Sequence, residues 1–524
     1  MPRIGVKQFR PPGCRGKGDK QLDKIHSSLL ALFKKIHKTL DKDDPLRLPQ
    51  QAYDQVASFL VELTEDLHND IGIWRSYEQY NLECFGTPLP LHLDPEEDID
   101  PEEMYRRRIH HALWNLYPLF DPDLILPPIY DDLYELSKQI AQFLQEKFAD
   151  MPCDSGVKKF LSEPVKFGWD VKKKLVWLGT GSYLFRYLYG DYVAEQGSQA
   201  DIPTTDDFIC QETTFWSGLG ALDILAEILD ITEKQRRDLR SWYERHLAFY
   251  RVKAIQPKKG TMDVINLIND RPYRIRAGEN VSTFKVGMFI QGSLVPWNDE
   301  WYWSGGQSAW NSLPKKAIRD VKKTFTIKMS NVVYRYCDDL LNEARKTLDL
   351  QYDDFLKYHG SDLILYPDGL ALAKDFEKQI RSYNESRMQE LAKSKKPPSV
   401  PDKNFTAPEE YFEMQNGVAV YFNSDEGQEI MEEFNTILSG LDKRGIDLSE
   451  DEEMMIQEFI FSDAISPAFI KRVVEEYGHE SIAAAFFFEP EMAEDNLFLE
   501  YLLHKYKGHF YRKRYPAISI MPEM

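Results

Sequence analysis

Apolar side chains recur every three or four positions along most of this chain, which is the spacing of one face of an α-helix. The pattern is clear over residues 20–42, 50–68 and 128–149, where Leu, Ile, Phe and Val return at helical intervals. A start signal of the capping-box type occurs later, because Ser449 stands three residues before Glu452. The pattern therefore predicts a chain built mainly from helices.

The stretch from residue 247 to 306 departs from this pattern. It contains five short runs rich in β-branched and aromatic residues, at 248–255, 261–268, 273–276, 286–295 and 300–304. Pro, Gly, Asn and Asp turn signals separate the runs. Five short strands in about sixty residues suit a small barrel or a strongly curled sheet. We expect a β module here, seated on the helices.

The remainder of the chain divides at a second composition change. Residues 395–404 are rich in lysine, proline and serine, which is typical of a linker, and the strand-like run 417–423 follows them. The predicted fold class is mainly α with a small central β-barrel-like module and an α+β C-terminal domain. The predicted domains are an N-terminal helical domain (1–246), the β module (247–310), a helical segment (311–394), the linker (395–404) and the C-terminal domain (405–524).

Helices are also predicted on either side of this linker. Helical spacing extends over 313–347, and a shorter helix over 350–359 ends at Gly360. After the strand at 417–423, the spacing predicts a helix over 425–441.

Composition limits the classes of function. The chain has 524 residues, is 43% hydrophobic and 29% charged, and carries a net charge of −20, so it can bury large cores while its overall field repels nucleic acid. Its five cysteines form no CxxC pair and are expected to be free thiols. We find neither a signal peptide nor a run of apolar residues long enough to cross a membrane. The expectation is a cytoplasmic protein without membrane contact.

The densest aromatic group lies at the end of the β module. It includes Trp297, Trp301 and Trp303, and strand alternation places Trp301 and Trp303 on one face with Tyr302 on the other. These three tryptophans are the candidate binding site for a protein or peptide partner. The alternative is that the rings fill the barrel and seat it on the helices.

A basic segment near the C-terminus is the second candidate site. Residues 504–515 contain no acid and interleave tyrosine and phenylalanine with five basic residues, a pattern that suits a nucleic-acid or anion site. The basic residues are Lys505, Lys507, Arg512, Lys513 and Arg514. Residues 1–20 are also basic and could form a surface arm that contacts nucleic acid. The alternative is that the cluster neutralises acidic helices of the same chain.

No complete catalytic, cofactor or metal motif is present. Gly179 and Gly181 lack the third glycine of a dinucleotide loop, and Trp310 replaces the last glycine of a GxSxG elbow. His110 and His111 diverge on a helix, and His479-Glu480 lacks the second histidine of HExxH. We predict no cofactor, no metal and no catalytic residue, with a dispersed active site as the remaining enzymatic alternative.

Three short segments together resemble a family of uncharacterised bacterial proteins. They are 70–74 (DIGIW), Phe85-Gly86 with Leu89-Pro90, and 300–305 (EWYWSG). The family has an IGIW-type segment, a YG…LPF-type segment and a central WWFSG-like strand; here Phe85 replaces the tyrosine, and Tyr302-Trp303 differ in order. The resemblance implies a bacterial cytosolic protein and supplies no catalytic residues.

Together these observations predict a non-enzymatic interaction protein whose central β module contacts a protein or peptide partner. Nucleic-acid contact through residues 1–20 and 504–515 is the alternative. The sequence does not indicate an oligomeric state.

Overall fold

The computed structural model describes residues 6–94, 97–121, 124–197, 199–392, 407–489 and 496–518. The predicted linker, 395–404, lies outside these residues. The chain divides into two compact units: one comprises residues 1–324 with 504–509, and the other comprises 325–503 with 510–524. The chain is 57% helical with a closed five-stranded barrel and a small separate sheet, which confirms the predicted fold class.

Eleven of the described helices precede the barrel in the first unit. They are α1 (Asp19–His37), α2 (Ala52–Asn69), α3 (Ile73–Phe85), α4 (Pro101–Leu116), α5 (Asp131–Phe148), α6 (Gly156–Ser162), α7 (Gly168–Gly181), α8 (Arg186–Glu195), α9 (Ile202–Gln211), α10 (Ala221–Ile228) and α11 (Glu233–Arg240).

The start of α3 shows how the DIGIW segment is used. The buried Asp66 carboxylate, near the end of α2, accepts hydrogen bonds from the backbone N–H groups of Gly72 and Trp74 at 2.8 and 2.7 Å. It also accepts one from the Tyr183 hydroxyl at 2.7 Å. These bonds satisfy the free N–H groups at a helix start. The segment therefore has a structural role in joining α2 to α3.

The β module is a closed barrel of five strands: β1 (Leu247–Gln256), β2 (Thr261–Asn266), β3 (Pro272–Arg276), β4 (Phe289–Trp297) and β5 (Glu300–Trp310). The strand order is β1-β2-β3-β5-β4, with β1 also pairing with β4. All pairs are antiparallel except β3 with β5, which is parallel at Ile275 and Trp301. This connectivity is that of the OB-fold barrel.

The barrel rests on helices of its own unit through its fourth and fifth strands. Trp242, just before β1, donates its Nε1–H to the Pro296 carbonyl on β4 at 2.7 Å. Tyr302 packs against Gly168 so closely that a Cβ on this glycine would lie 2.7 Å from the tyrosine ring. Only glycine permits this approach at the start of α7.

The second unit combines a three-stranded sheet with helices. Its strands are β6 (Leu363–Tyr366), β7 (Val418–Asn423) and β8 (Gly427–Glu432), in the antiparallel order β6-β7-β8. The remaining helices are α12 (Lys315–Lys328, in which the first unit ends), α13 (Ser330–Tyr334), α14 (Asp338–His359), α15 (Gly369–Ala392), α16 (Phe434–Asp442), α17 (Glu450–Phe461), α18 (Pro467–Tyr477), α19 (Glu480–Ala485) and α20 (Leu497–Lys507). Leu348, Phe355, Val420 and Phe422 belong to the core between α14 and this sheet.

Two predicted helices have different bounds in the structure. The helix expected over 313–347 is interrupted at Met329 and again before Asp338, and α14 continues through residue 350 to His359. The expected helix 425–441 begins only at Phe434, because residues 427–432 pair with β7 as strand β8. Strand pairing thus overrides the local helical spacing.

No helix in the described part of the chain is both long and apolar enough to cross a membrane.

Candidate functional site

The three candidate tryptophans occupy different positions in the barrel. Trp297, at the end of β4, is fully buried, whereas Trp301 and Trp303 on β5 are half-buried. Trp301 contacts Tyr273 edge-on at 4.7 Å between ring centroids, and Trp303 contacts Tyr250 in the same way at 5.6 Å. Trp301 and Trp303 thus pack against barrel tyrosines. Trp297 offers no surface to a partner.

A cleft lies where the barrel rim meets the start of α7. Its volume is about 210 Å³. Aromatic rings form much of the wall, which also includes two cations. The lining residues are Gly168, Trp169, Lys172, Trp242, Arg276, Ala277, Asn280, Phe284, Val295, Tyr302, Trp303 and Gln307. Of the candidate tryptophans, Trp303 lines this cleft.

Polar groups surround this space. The Trp303 Nε1–H is buried and has no partner among the described residues. The Lys172 ammonium lies 5.4 Å from the centroid of the Trp242 ring. Arg276, across the cleft, forms an ion pair with Glu300, whose other contact is the Tyr302 hydroxyl at 3.4 Å. Burial raises the pKa of Tyr302 to about 12, with Glu300 adding to the shift, so its hydroxyl stays protonated at neutral pH.

The Lys172 ammonium belongs to an ion cluster that fixes its position. Lys172 pairs with the Asp206 carboxylate on α9 and donates to the Ser304 hydroxyl at 2.8 Å. Ser304 in turn donates to Asp206 at 2.7 Å, and Arg245 lies 2.5 Å from the same carboxylate. Burial alone would raise the pKa of Asp206, but the two cations outweigh it and lower that pKa. The cluster joins α7, α9 and β5 and holds the cleft wall in place.

The basic C-terminal segment has a different environment from the one predicted for a nucleic-acid site. Lys505 and Lys507 are buried within the first unit. The Lys505 ammonium donates to the Asn115 side-chain oxygen at 2.9 Å and lies 4.4 Å from the Trp114 ring centroid. Gly508 meets Gly218 so closely that a Cβ on Gly508 would lie 2.4 Å from the Gly218 Cα. Neither lysine is available to an external anion in this arrangement.

The other three basic residues of the segment lie near the surface. Arg514 forms an ion pair with Glu426 at 2.7 Å. Lys513 is exposed and lies 5.4 Å from the ring of Tyr515, and Arg512 is half-buried. In the N-terminal segment 1–20, the Arg10 side chain is only 6% exposed and pairs with Asp19 and Glu65 at 3.2 and 2.7 Å. Arg10 is therefore packed against its own helices, whereas Lys7, Arg15, Lys17 and Lys20 of the same segment are exposed.

Three histidines and a tyrosine form a further buried network. His111 contacts the Tyr77 hydroxyl at 2.6 Å and the Nδ1 atom of His92 at 2.9 Å. The His92 and His110 rings are 4.7 Å apart. Burial lowers the pKa of His110 to about 4, with Arg107 adding to the shift. No group of three or more His, Cys, Asp or Glu side chains in the described part of the chain is arranged to hold a metal ion.

The sequence did not indicate the ion cluster or the cleft. Lys172, Asp206 and Arg245 are separated by more than thirty residues each. Asp206-Asp207 was noticeable as an acidic pair, but its cationic partners come from distant elements. Comparison with protein-family models, curated proteins and solved structures found no match to this chain.

Proposed function

We propose that this chain is a non-enzymatic interaction protein whose barrel binds a segment of a protein partner at the cleft. The observation that carries the proposal is the size of the cleft, about 210 Å³. Sites for small molecules usually measure roughly 300–1,000 Å³. A space of this size surrounded by aromatic rings suits one anchoring side chain of a peptide, as in a binding hot spot.

The cleft wall also indicates the chemistry of the anchor. Lys172 and Arg276 place two cations at the wall, each paired with a carboxylate of the same unit. An anchor with an oxygen acceptor can bond to these cations, whereas a cationic anchor would be repelled by them.

The barrel surface agrees with an acidic partner. Residues 247–310 contain eight lysines and arginines against five aspartates and glutamates, in a chain whose net charge is −20. Arg251, Lys253 and Arg274 are exposed on β1 and β3. Such a locally basic surface would steer an acidic segment toward the cleft.

The test is affinity purification from the native host, with and without nuclease. Trp303→Ala should lose a nuclease-resistant protein partner that the unchanged chain retains. Trp310→Ala is the matched control, because Trp310 lies on the same strand, is 37% exposed and does not line the cleft. Equal recovery with both folded variants would contradict the cleft proposal.

Nucleic acid is the second candidate, and the strand order of the barrel favours it. OB-type barrels use their β2–β3 face and adjoining loops to bind oligonucleotides or oligosaccharides, although fold alone does not determine function. Nuclease-sensitive recovery, lost in the double variant Arg251→Glu/Lys253→Glu and falling steeply with salt, would favour this candidate.

The free cysteines fit a reducing cytoplasm, which we propose as the location, and the sequence resemblance supports a bacterial source.

A further inference from the structure

The second unit contains a larger cavity that the proposed partner site does not use. It measures about 550 Å³ and lies among α14, α15, strands β7 and β8, and residues 517–518. This volume falls within the usual range for a bound small molecule. The lining residues are Gln351, Asp354, Lys357, Tyr358, Phe376, Gln379, Ile380, Ser382, Tyr383, Phe422, Gly427, Gln428, Ala517 and Ile518.

Three residues lie where this cavity adjoins a smaller one. Phe376, Gln379 and Gln428 line both the large cavity and a small one of about 10 Å³ behind it. The small cavity has room for about one water molecule. One aromatic ring and two side-chain amides are therefore shared by the two spaces, and a ligand in the large cavity can contact the half-buried Gln379 and the exposed Gln428.

Hydrogen bonds to Asp375 fix the cavity wall near Gln379. The Asp375 carboxylate accepts hydrogen bonds from the Tyr366 hydroxyl at 2.8 Å and the Tyr358 hydroxyl at 3.2 Å. The Nδ1 atom of His359 lies 3.7 Å from the same carboxylate, and His359 and Gln379 both line the small cavity. This network fixes the wall around Gln379, which lowers the cost of ordering the lining around a ligand.

The charge of the lining is balanced. Asp354 and Lys357 are its only ionisable side chains apart from the tyrosines, and they stand one helical turn apart on α14. With one charge of each sign, the cavity has no cationic cluster of the kind that binds a phosphate group. This argues for an uncharged ligand.

We propose that this cavity binds an uncharged planar heteroaromatic molecule of the nucleobase or nucleoside class. The lining includes four aromatic rings, and every nucleobase can stack on an aromatic ring; they are Tyr358, Phe376, Tyr383 and Phe422. Each glutamine amide offers both a donor and an acceptor, the combination that matches the edge of an adenine ring.

The probe for this proposal is adenosine, titrated into the full chain and followed by calorimetry and by saturation-transfer NMR of the ligand. Saturable binding is expected, and adenosine 5′-monophosphate should bind no more tightly, since no cationic cluster receives its phosphate. Indole, a planar ring without the acceptors of adenine, should bind at least about tenfold more weakly than adenosine.

Two variants place the binding in the cavity. Gln428→Leu, whose side chain is exposed at the cavity edge, and Gln379→Leu should each weaken adenosine binding about tenfold. Lys346→Ala is the control, because Lys346 is exposed on α14 and lies outside the lining. The proposal is overturned if adenosine shows no saturable binding up to millimolar concentration, if indole binds equally well, or if neither glutamine variant weakens binding.

Discussion

Strand β5 and the segment 504–509 have similar sequence patterns, but they differ in how deeply their side chains are buried. Both belong to the first unit and both show aromatic rings that suggest a binding surface. On β5, Trp301 and Trp303 remain half-buried, and Trp303 lines a cleft. In the other segment, Lys505 is 8% exposed and Lys507 fully buried.

The difference in burial arises from the residues that each segment packs against. Strand β5 closes a barrel too small to enclose all its large rings. The segment 504–509 lies in a groove of its own unit. There the Trp114 ring faces the Lys505 ammonium, and Gly218 leaves room for the backbone at Gly508. A cluster of basic and aromatic residues therefore predicts a binding surface only when nothing in the same chain covers it.

The largest effect should come from reversing the buried charge. Lys505→Glu would place a carboxylate against the Trp114 ring, facing the Asn115 side-chain oxygen, and should destabilise the first unit by more than about 4 kcal/mol. Urea unfolding followed by tryptophan fluorescence measures it, since all ten tryptophans lie in this unit. Lys258→Glu, at an exposed turn of the barrel, should shift stability by no more than about 0.5 kcal/mol. Equal effects would mean that Lys505 is exposed in solution.

Truncating tryptophan side chains of the barrel tests how tightly this module is packed. Trp297→Ala should cost about 3–5 kcal/mol, because its ring is fully buried. Trp310→Ala should cost about 1 kcal/mol or less, because this ring is 37% exposed and stacks on Phe249 at 6.1 Å. The same fluorescence-detected unfolding measures both. A small loss for Trp297→Ala would indicate that the barrel core is loosely packed.

A methyl group tests the backbone contact that seats the C-terminal segment. Gly508→Ala should destabilise the first unit by about 1–3 kcal/mol, because its Cβ would lie 2.4 Å from the Gly218 Cα. Gly190→Ala is the opposite case: Gly190 lies within α8 with open space around its Cβ position, so alanine should stabilise by about 0.5–1 kcal/mol. Thermal unfolding distinguishes the two signs. A neutral Gly508→Ala would show that the segment can shift without loss.

The smallest effect concerns pH. Burial lowers the pKa of Lys505 from its usual 10.5 to about 7. Between these values the unfolded chain binds a proton that the folded chain lacks, so stability should rise as pH increases from 7 toward 10.5. The urea midpoint should therefore be higher at pH 8.5 than at pH 7, and Lys505→Met should reduce this difference. An unchanged difference in the methionine variant would assign the pH dependence to other groups.

Local signals predicted much of the fold. Turn residues and alternation placed the starts of the barrel strands within a few positions, although β5 continues six residues beyond the predicted 300–304. Strand alternation placed Trp301 and Trp303 on one face of β5 with Tyr302 on the other. These features depend on neighbours in sequence, where side-chain periodicity is a direct consequence of backbone geometry.

The candidate sites could not be predicted in the same way. The Lys172–Asp206–Arg245 cluster joins two helices and the segment that leads into β1, and the cavity in the second unit joins two helices to two strands. The burial of Lys505 depends on Trp114, almost four hundred residues earlier. Such pairings follow from tertiary packing, which leaves no periodic trace in a single sequence.

The chain order of the first unit has a consequence for biosynthesis. Its residues 504–509 follow the 179 residues 325–503, which belong to the second unit. At about 5–20 residues per second, a ribosome needs roughly 10–40 s to traverse that interval. During this time the groove beside Trp114 and Gly218 has been synthesised, but the segment 504–509 that fills it has not. Until the ribosome has translated residues 504–509, the nascent first unit therefore leaves the surface beside Trp114 and Gly218 uncovered, where chaperones can bind.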